Sequence, residues 1–443
     1  MFNRLLIANR GEIAVRIIRA CQELGIETVA VYSEADKDSL HVQLADYAYC
    51  IGPAEAALSY MNKEAIVTAA QQCNADAIHP GYGFLSENAD FAQMVTDADI
   101  TFIGPCAATI RAIGNKDAAK EAMKRAGVPI SPGSDPFTNL DDSLVIAKEL
   151  GYPVILKPVA GGGGKGMFVA HNQTELITAV NSIKQADHPQ AVYFLEKYIV
   201  DARHIEVQIV ADHFGHIVHL GERECSLQRR NQKLLEECPS SAITPDLRRI
   251  VGELAIKAVK SVHYTNIATV EFLMDQSNNF YFMEINPRIQ VEHGITEMVA
   301  GVDLVIAQLQ IAAGQALEVR QKDIRLRGHA IECRINAEDP EENFFPCPGQ
   351  IGFYHQPGGL NVRIDTGVYA GYEVQPYYDS LIAKVIVHGR TRGEAIKTMQ
   401  RALAEMRITG IKTTIDFHKQ ILEHPLFCSG NIDIQFIQTR MIS

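Results

Sequence analysis

The chain has no cysteine framework. Its nine cysteines are an odd number and are scattered without one CxxC pair. This argues against a disulfide scaffold or a structural zinc site, and it favours a reducing, cytoplasmic setting. Long apolar runs are also missing. Nothing approaches the roughly 18 uninterrupted apolar residues of a membrane helix, and the N-terminal MFNRLLIANRGE carries no apolar core of a signal peptide. Positive charge is short: 41 Lys and Arg stand against 53 Asp and Glu, a net charge of −12. That balance speaks against nucleic acid as a partner. It leaves anionic small molecules open, because local Lys and Arg clusters can bind them. The dinucleotide fingerprint is absent, since Asn9-Arg10-Gly11-Glu12 follows the first strand without the required glycines. Neither internal repeats nor low-complexity segments are apparent.

What is present begins with an alternating α/β pattern. Residues 4–8 read as a strand and 12–24 as a helix, with Ile13, Ile17, Cys21 and Leu24 on one stripe. Gly25 caps that helix and 27–32 form the next strand. Further alternation to Gly104 predicts a parallel sheet of Rossmann-like type. Cores in the plural are expected, because 443 residues at 47% apolar can bury two or three.

The segment 283–293, MEINPRIQVEH, says most about chemistry. Glu284, Asn286, Arg288, Gln290 and Glu292 occupy every second position, with Ile285, Ile289 and Val291 between them. In an extended chain this aims two carboxylates, two amides and a guanidinium at one place. Pro287 predicts that the regular strand ends at Asn286. Upstream, TVEFLM (269–274), a turn-rich DQSNN and FYFME (280–284) read as a hairpin that brings Glu271 near Glu284. Two carboxylates among apolar residues repel and are poorly solvated. A divalent cation held by Glu271, Glu284 and Asn286 would resolve this as a Mg²⁺ site. The alternative is a buried Glu paired with Lys or Arg.

A third feature is the glycine-rich GYPVILKPVAGGGGKGM (151–167). A strand from Val154 ends at Lys157, and Met167–Ala170 reads as another. The loop Gly161–Gly164, Lys165, Gly166 is therefore expected to join two strands as a flap whose N–H groups face phosphates. Gly166, in place of Ser or Thr, follows Lys165, so this is not a P-loop. A flexible hairpin tip would look the same on its own. Together with Lys157 and the downstream carboxylates, the loop supplies the parts of a phosphoryl-transfer site.

These residues carry a resemblance. Lys116, Lys157, AGGGGKGM, Glu196-Lys197-Tyr198-Ile199, Glu271 and Glu284-x-Asn286 resemble the ATP-grasp superfamily. More closely, the chain resembles the biotin carboxylase family nearly end to end, through IANRGEIAVRIIRA (7–20), HPGYGFLSEN (79–88), ECSLQRRNQK (224–233), EINPRIQVEH (284–293), GHAIECRINAED (328–339) and YYDSLIAK (377–384). The resemblance implies three regions. An N-terminal Rossmann-like biotin-carboxylation domain spans 1–112, and an ATP-grasp domain spans 113–320 with a mobile lid at about 130–200. A strand-rich α+β C-terminal domain spans 321–443 and closes with helices at 392–406 and 414–424. Pro129, Pro132, Gly133 and Pro136 mark the hinge side of the lid.

It also implies an activity: carboxylation of biotin with ATP and bicarbonate through carboxyphosphate, as the first half-reaction of acetyl-CoA carboxylase in fatty-acid synthesis. Another carboxyphosphate- or acylphosphate-forming ATP-grasp ligase is the alternative. By the same resemblance Lys116, Lys157, Gly163, Gly164, Glu196, Lys197, Ile199, His204, Asn231, Glu271 and Glu284 bind ATP, and Glu271, Glu284 and Asn286 hold Mg²⁺ or Mn²⁺. Lys233, Arg288, Gln290, Val291 and Glu292 hold bicarbonate, and Glu292 takes its proton while Arg288 and Lys233 keep it ionised. Tyr82, Gly83, Arg334 and Asp379 are biotin-side residues, although Asp379 could equally start a turn or pair with Arg16.

Some positions depart from the family pattern. Asn231 stands where His is usual, Ala160 and Lys165 alter the glycine loop, and Gly294 replaces a more usual Pro or Thr, which is expected to loosen the exit from the clamp. No Met-Lys-Met appears before Ser443. The expectation is a separate subunit, homodimeric, that receives biotin on a biotin carboxyl carrier protein and works with carboxyltransferase subunits, without membrane or nucleic-acid partners.

Overall fold

The computed structural model describes residues 1–158, 167–185 and 192–442, with the side chains of residues 116, 117 and 183–185 excepted. Strand β1 (Arg4–Ile7) buries Leu5, Leu6 and Ile7 completely. A strand covered on both faces needs such an unbroken apolar run. The helix Gly11–Glu23 packs Ile13, Ile17 and Cys21 inward, and Gly25, at φ +70°, closes it in the left-handed region that glycine enters freely. Strands β2 (Glu27–Ser33), β3 (Tyr47–Gly52), β4 (Ala77–His79) and β5 (Thr101–Phe102) complete a parallel sheet in the order β3-β2-β1-β4-β5. The loops after β1 and β4 leave the carboxyl edge side by side. Asn9 Nδ2 ties them together by donating to the carbonyls of Pro80 and Tyr82, both at 2.7 Å. In open α/β sheets this edge is where ligands bind.

A smaller antiparallel sheet follows. It contains β6 (Val154–Pro158), β7 (Phe168–Ala170) and β8 (Tyr193–Lys197), in the order β7-β6-β8. Val154, Leu156, Ala170 and Leu195 pack with Leu176 and Ala147 of two covering helices to form a separate apolar core. The two expected strands are present and pair antiparallel, and the glycine loop between them, with Ala160, Gly163, Gly164 and Lys165, lies outside the described residues. The backbone of 130–133 links this unit to the rest through bridges Ile130–Phe282 and Gly133–Glu196. A Cβ on Gly133 would lie 3.0 Å from the Leu195 carbonyl, so the close approach depends on glycine.

The largest layer is an eight-stranded antiparallel sheet. Its members are β9 (Arg203–Ala211), β10 (Ile217–Arg229), β11 (Gln232–Cys238), β12 (Asn266–Met274), β13 (Phe280–Asn286), β14 (His329–Asn336) and the strands Val362–Thr366 and Leu381–Gly389. The order is β13-β12-β9-β10-β11-β14, then Leu381–Gly389, then Val362–Thr366. β11 pairs with β14, so the middle and C-terminal parts of the chain share one hydrogen-bonded layer. The β12–β13 hairpin has the expected form, and β13 stops at Asn286 before Pro287. The helices Arg392–Glu405 and Ile415–Glu423 agree with the predicted pair to within a residue at each end. Gly294 does not loosen anything: it is buried in the helix His293–Ala300, and a Cβ there would sit 2.5 Å from Ile386 Cδ1. A larger residue there would require that side-chain tip to shift.

Register builds one rung of charge across this sheet. Glu284 faces Glu271, Glu271 faces Glu206, and Glu206 faces Arg223. Residues paired this way project to the same face. Arg223 is completely buried; it donates to Glu206 through a short contact, to Gln208 Oε1 at 2.8 Å, and to the hydroxyls of Thr269 and Thr296 at 2.9 Å. Arg223→Met removes every one of these donors and leaves charge and polar groups buried. The expected cost is about 3–5 kcal/mol, read as a fall of several degrees in the calorimetric melting temperature. An unchanged melting temperature would contradict this account of the rung.

Candidate active site

A cavity of about 1260 Å³ lies where the three layers meet. Arg10 and Tyr82 line it from the parallel sheet, Lys157 and Glu196 from the small sheet, and His204, Lys233, Glu271, Glu284, Arg288 and Arg334 from the large sheet and its connections.

Lys233, on β11, is the centre of the wall. Its ammonium lies 2.5 Å from Glu206 Oε2, 2.9 Å from Glu271 Oε1 and 2.7 Å from Glu292 Oε1. Burial alone would lower the Lys233 pKa, but the three carboxylates raise it well above the ordinary lysine value. Glu271 is also 2.9 Å from His204 Nε2 and accepts from Asn286 Nδ2 at 3.0 Å. Burial pushes its carboxyl up, and Lys233 and His204 outweigh this and hold it below the usual carboxylate range. His204 is raised in turn by Glu271, against its own burial. Of the two alternatives for Glu271, pairing with a cation is what the side chains show. Glu284 faces Glu271 across the hairpin but is exposed, and Asn286 turns its Nδ2 to Glu271 while its Oδ1 accepts from Arg288. Facing carboxylates plus an amide suit a hard divalent cation.

Arg288 stands on the turn after β13. It donates to Gln290 Oε1 at 2.9 Å and Asn286 Oδ1 at 3.1 Å, and it pairs with Glu87 Oε1 at 2.5 Å. The alternating side chains of 286–292 thus converge even though the strand has ended. One expectation is corrected. Glu292 is kept ionised by Lys233 and by Arg334, whose Nη2 lies 2.8 Å from Glu292 Oε2, while Arg288 is engaged with Glu87. Burial opposes this, and the two cations together with Arg223 win, so the Glu292 carboxyl lies well below its ordinary range. Arg334 also holds Glu236 at 2.6 Å. There burial dominates, with Arg334 opposing and Glu292 adding repulsion, and the Glu236 carboxyl is pushed up to about 7. The Val291 carbonyl accepts from the buried Lys384 at 2.7 Å.

The opposite wall belongs to the lid. Lys157 Nζ lies 2.5 Å from Glu196 Oε2, so its ammonium rests on a carboxylate in this structure. Lys197 Nζ is turned to the carbonyls of Gly151 and Tyr152, and Ile199 lines the cavity. Lys116 opens the helix Lys116–Arg125, and its side chain is outside the description. Asn231 also lines the cavity and has φ +65°, after Arg230 at +49°. Arg229 faces Gln232, so these two residues form a two-residue hairpin loop with both φ values positive. Asn enters that region more readily than most residues, which gives this departure a backbone reason. On the third wall Tyr82 donates to Glu12 through a short contact, and Gly83 has φ +68°. Asp379 Oδ1 accepts from the Leu381 N–H at 2.8 Å, the turn geometry, while Arg16 pairs instead with Glu297 and Asp303.

Sequence reasoning missed Glu206, Arg223, Glu87, Glu236, Lys384 and Lys120. A signal existed for the first: His204, Glu206 and Gln208 alternate just as 284–292 do. Glu87 lies 201 residues from Arg288, and no spacing announces it.

Comparison with known proteins gives the family and the fold. Family models match three consecutive stretches: biotin carboxylase, N-terminal domain, at 1–110; carbamoyl-phosphate synthase L chain, ATP binding domain, at 115–320; and biotin carboxylase C-terminal domain at 332–439. Biotin carboxylase 1 of Bacillus subtilis (strain 168) is 56% identical, with 99% of each chain covered. Biotin carboxylase of Haemophilus influenzae is 51% identical over 100% of this chain and 99% of that protein. Among solved structures, the biotin carboxylase domain dimer of Hydrogenobacter thermophilus 2-oxoglutarate carboxylase, in complex with MgADP, ADP and bicarbonate, superposes with a TM-score of 0.92. It is 48% identical, covering 99% of this chain and 97% of that one. The biotin carboxylase–βγ-ATP complex of Campylobacter jejuni gives a TM-score of 0.93 at 46% identity, with 99% of both chains covered.

The charge cluster makes a pH prediction. Glu271 and Glu292 have depressed carboxyl pKa values, so their stabilisation is complete above the unfolded value of about 4.3 and is lost as pH falls through the folded values. Lys233→Met removes the shared cation, which raises the folded carboxyl values of Glu271 and Glu292. The parent's advantage is therefore full where these carboxyls are ionised in both proteins and shrinks as pH falls through the variant's raised values and then the parent's lower ones. The melting-temperature gap between parent and variant should therefore be widest near neutral pH and narrow as the pH is lowered below about 4.3. A gap independent of pH would refute the shared-cation assignment.

Proposed function

The chain belongs to the biotin carboxylase family, and on that basis we propose that its cavity carboxylates biotin, converting MgATP, bicarbonate and biotin to carboxybiotin, ADP and phosphate. The observation that carries this reading is the convergence of Lys233, Arg288, Glu292 and Arg334 on one wall, opposite the lid residues Lys157 and Glu196.

The roles follow from charge and geometry. Bicarbonate is a small planar anion, and a guanidinium matches it with parallel hydrogen bonds. Arg288, steadied by Gln290 and Asn286, supplies that fork, and Lys233, Gln290 and the Val291 backbone complete the bicarbonate pocket. Glu292 takes the bicarbonate proton. The low proton affinity of Glu292 is set by Lys233 and Arg334, and an anion bound to those same cations raises it toward what a base needs. The bicarbonate oxygen attacks the γ-phosphorus to give carboxyphosphate and ADP. Carboxyphosphate breaks down to CO₂ and phosphate, phosphate removes the ureido proton of biotin, and the ureido nitrogen attacks CO₂. Arg288 stabilises the negative charge that develops on the ureido oxygen. Tyr82, Gly83, Arg334 and Asp379 line the biotin side.

ATP occupies the lid side. Lys116 and Lys157 face its phosphates with the glycine loop that includes Gly163 and Gly164, Glu196, Lys197 and Ile199 hold the adenine edge, and His204 and Asn231 flank the nucleotide. Glu271, Glu284 and Asn286 would hold Mg²⁺, or Mn²⁺ in its place, which when bound neutralises charge on the β- and γ-phosphates. The lid keeps water from carboxyphosphate. In this reading the chain is a homodimeric, cytosolic subunit that receives biotin on a carrier protein and hands the carboxyl group to carboxyltransferase subunits, with acetyl-CoA as the acceptor.

ADP release that requires bicarbonate and rises with biotin is the expected behaviour; release driven by an amino acid or purine precursor would point to another ligase. Arg288→Ala should lower biotin carboxylation by about 10²–10³-fold with ATP affinity near the parent's. Unchanged turnover would remove Arg288 from the mechanism. A biotinylated carrier should be carboxylated far more efficiently than free biotin, and equal efficiency on the two would count against the separate-carrier reading.

A further inference from the structure

Glu196 holds two ammonium groups. Its Oε2 takes Lys157 Nζ at 2.5 Å, and its Oε1 takes Lys120 Nζ in a short contact. Glu196 is buried, and it is held below the usual carboxylate range because Lys157 and Lys120 outweigh the effect of burial. The two lysines come from different elements, Lys157 from β6 and Lys120 from the helix Lys116–Arg125. They are not equivalent. The Lys120 ammonium also sits over the Phe194 ring, 4.3 Å from its centroid, whereas the Lys157 ammonium has no second partner among the described residues.

We propose that Lys120 is a positioning residue for nucleotide binding: it keeps the buried Glu196 carboxylate paired when Lys157 leaves it for a phosphate. The inference rests on the reading of Lys157 as a nucleotide lysine. Breaking a buried ion pair is costly because the remaining charge is left uncompensated. If Lys157 were the sole partner of Glu196, each arriving triphosphate would have to compete with that carboxylate. With Lys120 in place, the carboxylate loses one of two partners and stays neutralised. Lys120 is the one retained, because the face of Phe194 attracts its ammonium as well. The Lys120–Glu196 pair is then neutral, and the full charge of Lys157 is available to the phosphates.

The full-length chain tests this by MgATP titration calorimetry and by bicarbonate-dependent ADP release. Lys120→Met should raise the KM for ATP about tenfold, with kcat at saturating ATP changing much less. Lys120→Arg, which keeps the charge, should restore KM to within about threefold. In a Glu196→Gln background, Lys120→Met should add less than about twofold, because a neutral amide no longer grips Lys157. Lys120→Gln repeats the test should the Met variant not fold. Parent-like KM in the Lys120 variants, or an equal penalty in the Glu196→Gln background, overturns the proposal. Lys157→Ala separates the two failures. If it weakens ATP binding while the Lys120 variants do not, the nucleotide site stands and the role of Lys120 falls. If it leaves ATP binding unchanged, the nucleotide reading falls and takes this inference with it.

Discussion

One ammonium among three buried carboxylates sets the terms for the rest of this molecule. Lys233 touches Glu206, Glu271 and Glu292, and Arg223 and Arg334 bring further cations to the same carboxylates. Any of these charges buried alone would cost several kcal/mol. Together they are tolerable only if β9, β10, β11 and β12 pair in one register, since a one-residue slip would send each charge to the opposite face of the sheet. The arrangement that makes the sheet single-valued is therefore also the one that leaves cations and carboxylates assembled at the cavity. Fold specificity and chemistry share the same side chains.

The remaining walls answer to this one. The parallel sheet offers the carboxyl edge of β1 and β4, where Asn9 ties the Tyr82 loop in place. The lid carries its own apolar core and meets the body through the Ile130–Phe282 bridge, Lys120 on Glu196 and Gln435 on Tyr198. A unit with a separate core can change its angle without unpacking itself. On the body side, the clamp segment 286–292 is fixed from both directions, by Lys384 on the Val291 carbonyl and by Glu87 on Arg288. Side chains held this way from behind keep one geometry.

Much of the site could be read in advance, and for a definable reason. Alternation in 284–292 named the wall residues, and Pro287 marked the strand end, because both act through the local backbone. The hairpin from Asn266 to Asn286 followed from two apolar runs and a turn-rich gap, which made the opposition of Glu271 and Glu284 legible. Asn231 was harder. It looked like a changed ligand, and the backbone adds a second role, a left-handed position in a two-residue turn. Gly294 was opaque until Ile386 was seen against it, since that contact spans 92 residues of chain. Glu292 showed the limit most clearly. Of the two cations expected beside it, Lys233 is there and Arg288 is not; Arg334, forty-two residues away in the chain, takes that place.

The amino-acid sequence by itself determined where strands and helices start and stop and which side chains share a face. Those properties depend on backbone geometry and spacing over a few residues. Only the tertiary structure decided which cation neutralises which carboxylate, that Glu196 carries two lysines, and that the middle and C-terminal regions are one sheet through β11 and β14. Partner choice among buried charges minimises the desolvation cost of the whole cluster at once. That sum depends on strand order and register, which no local spacing encodes.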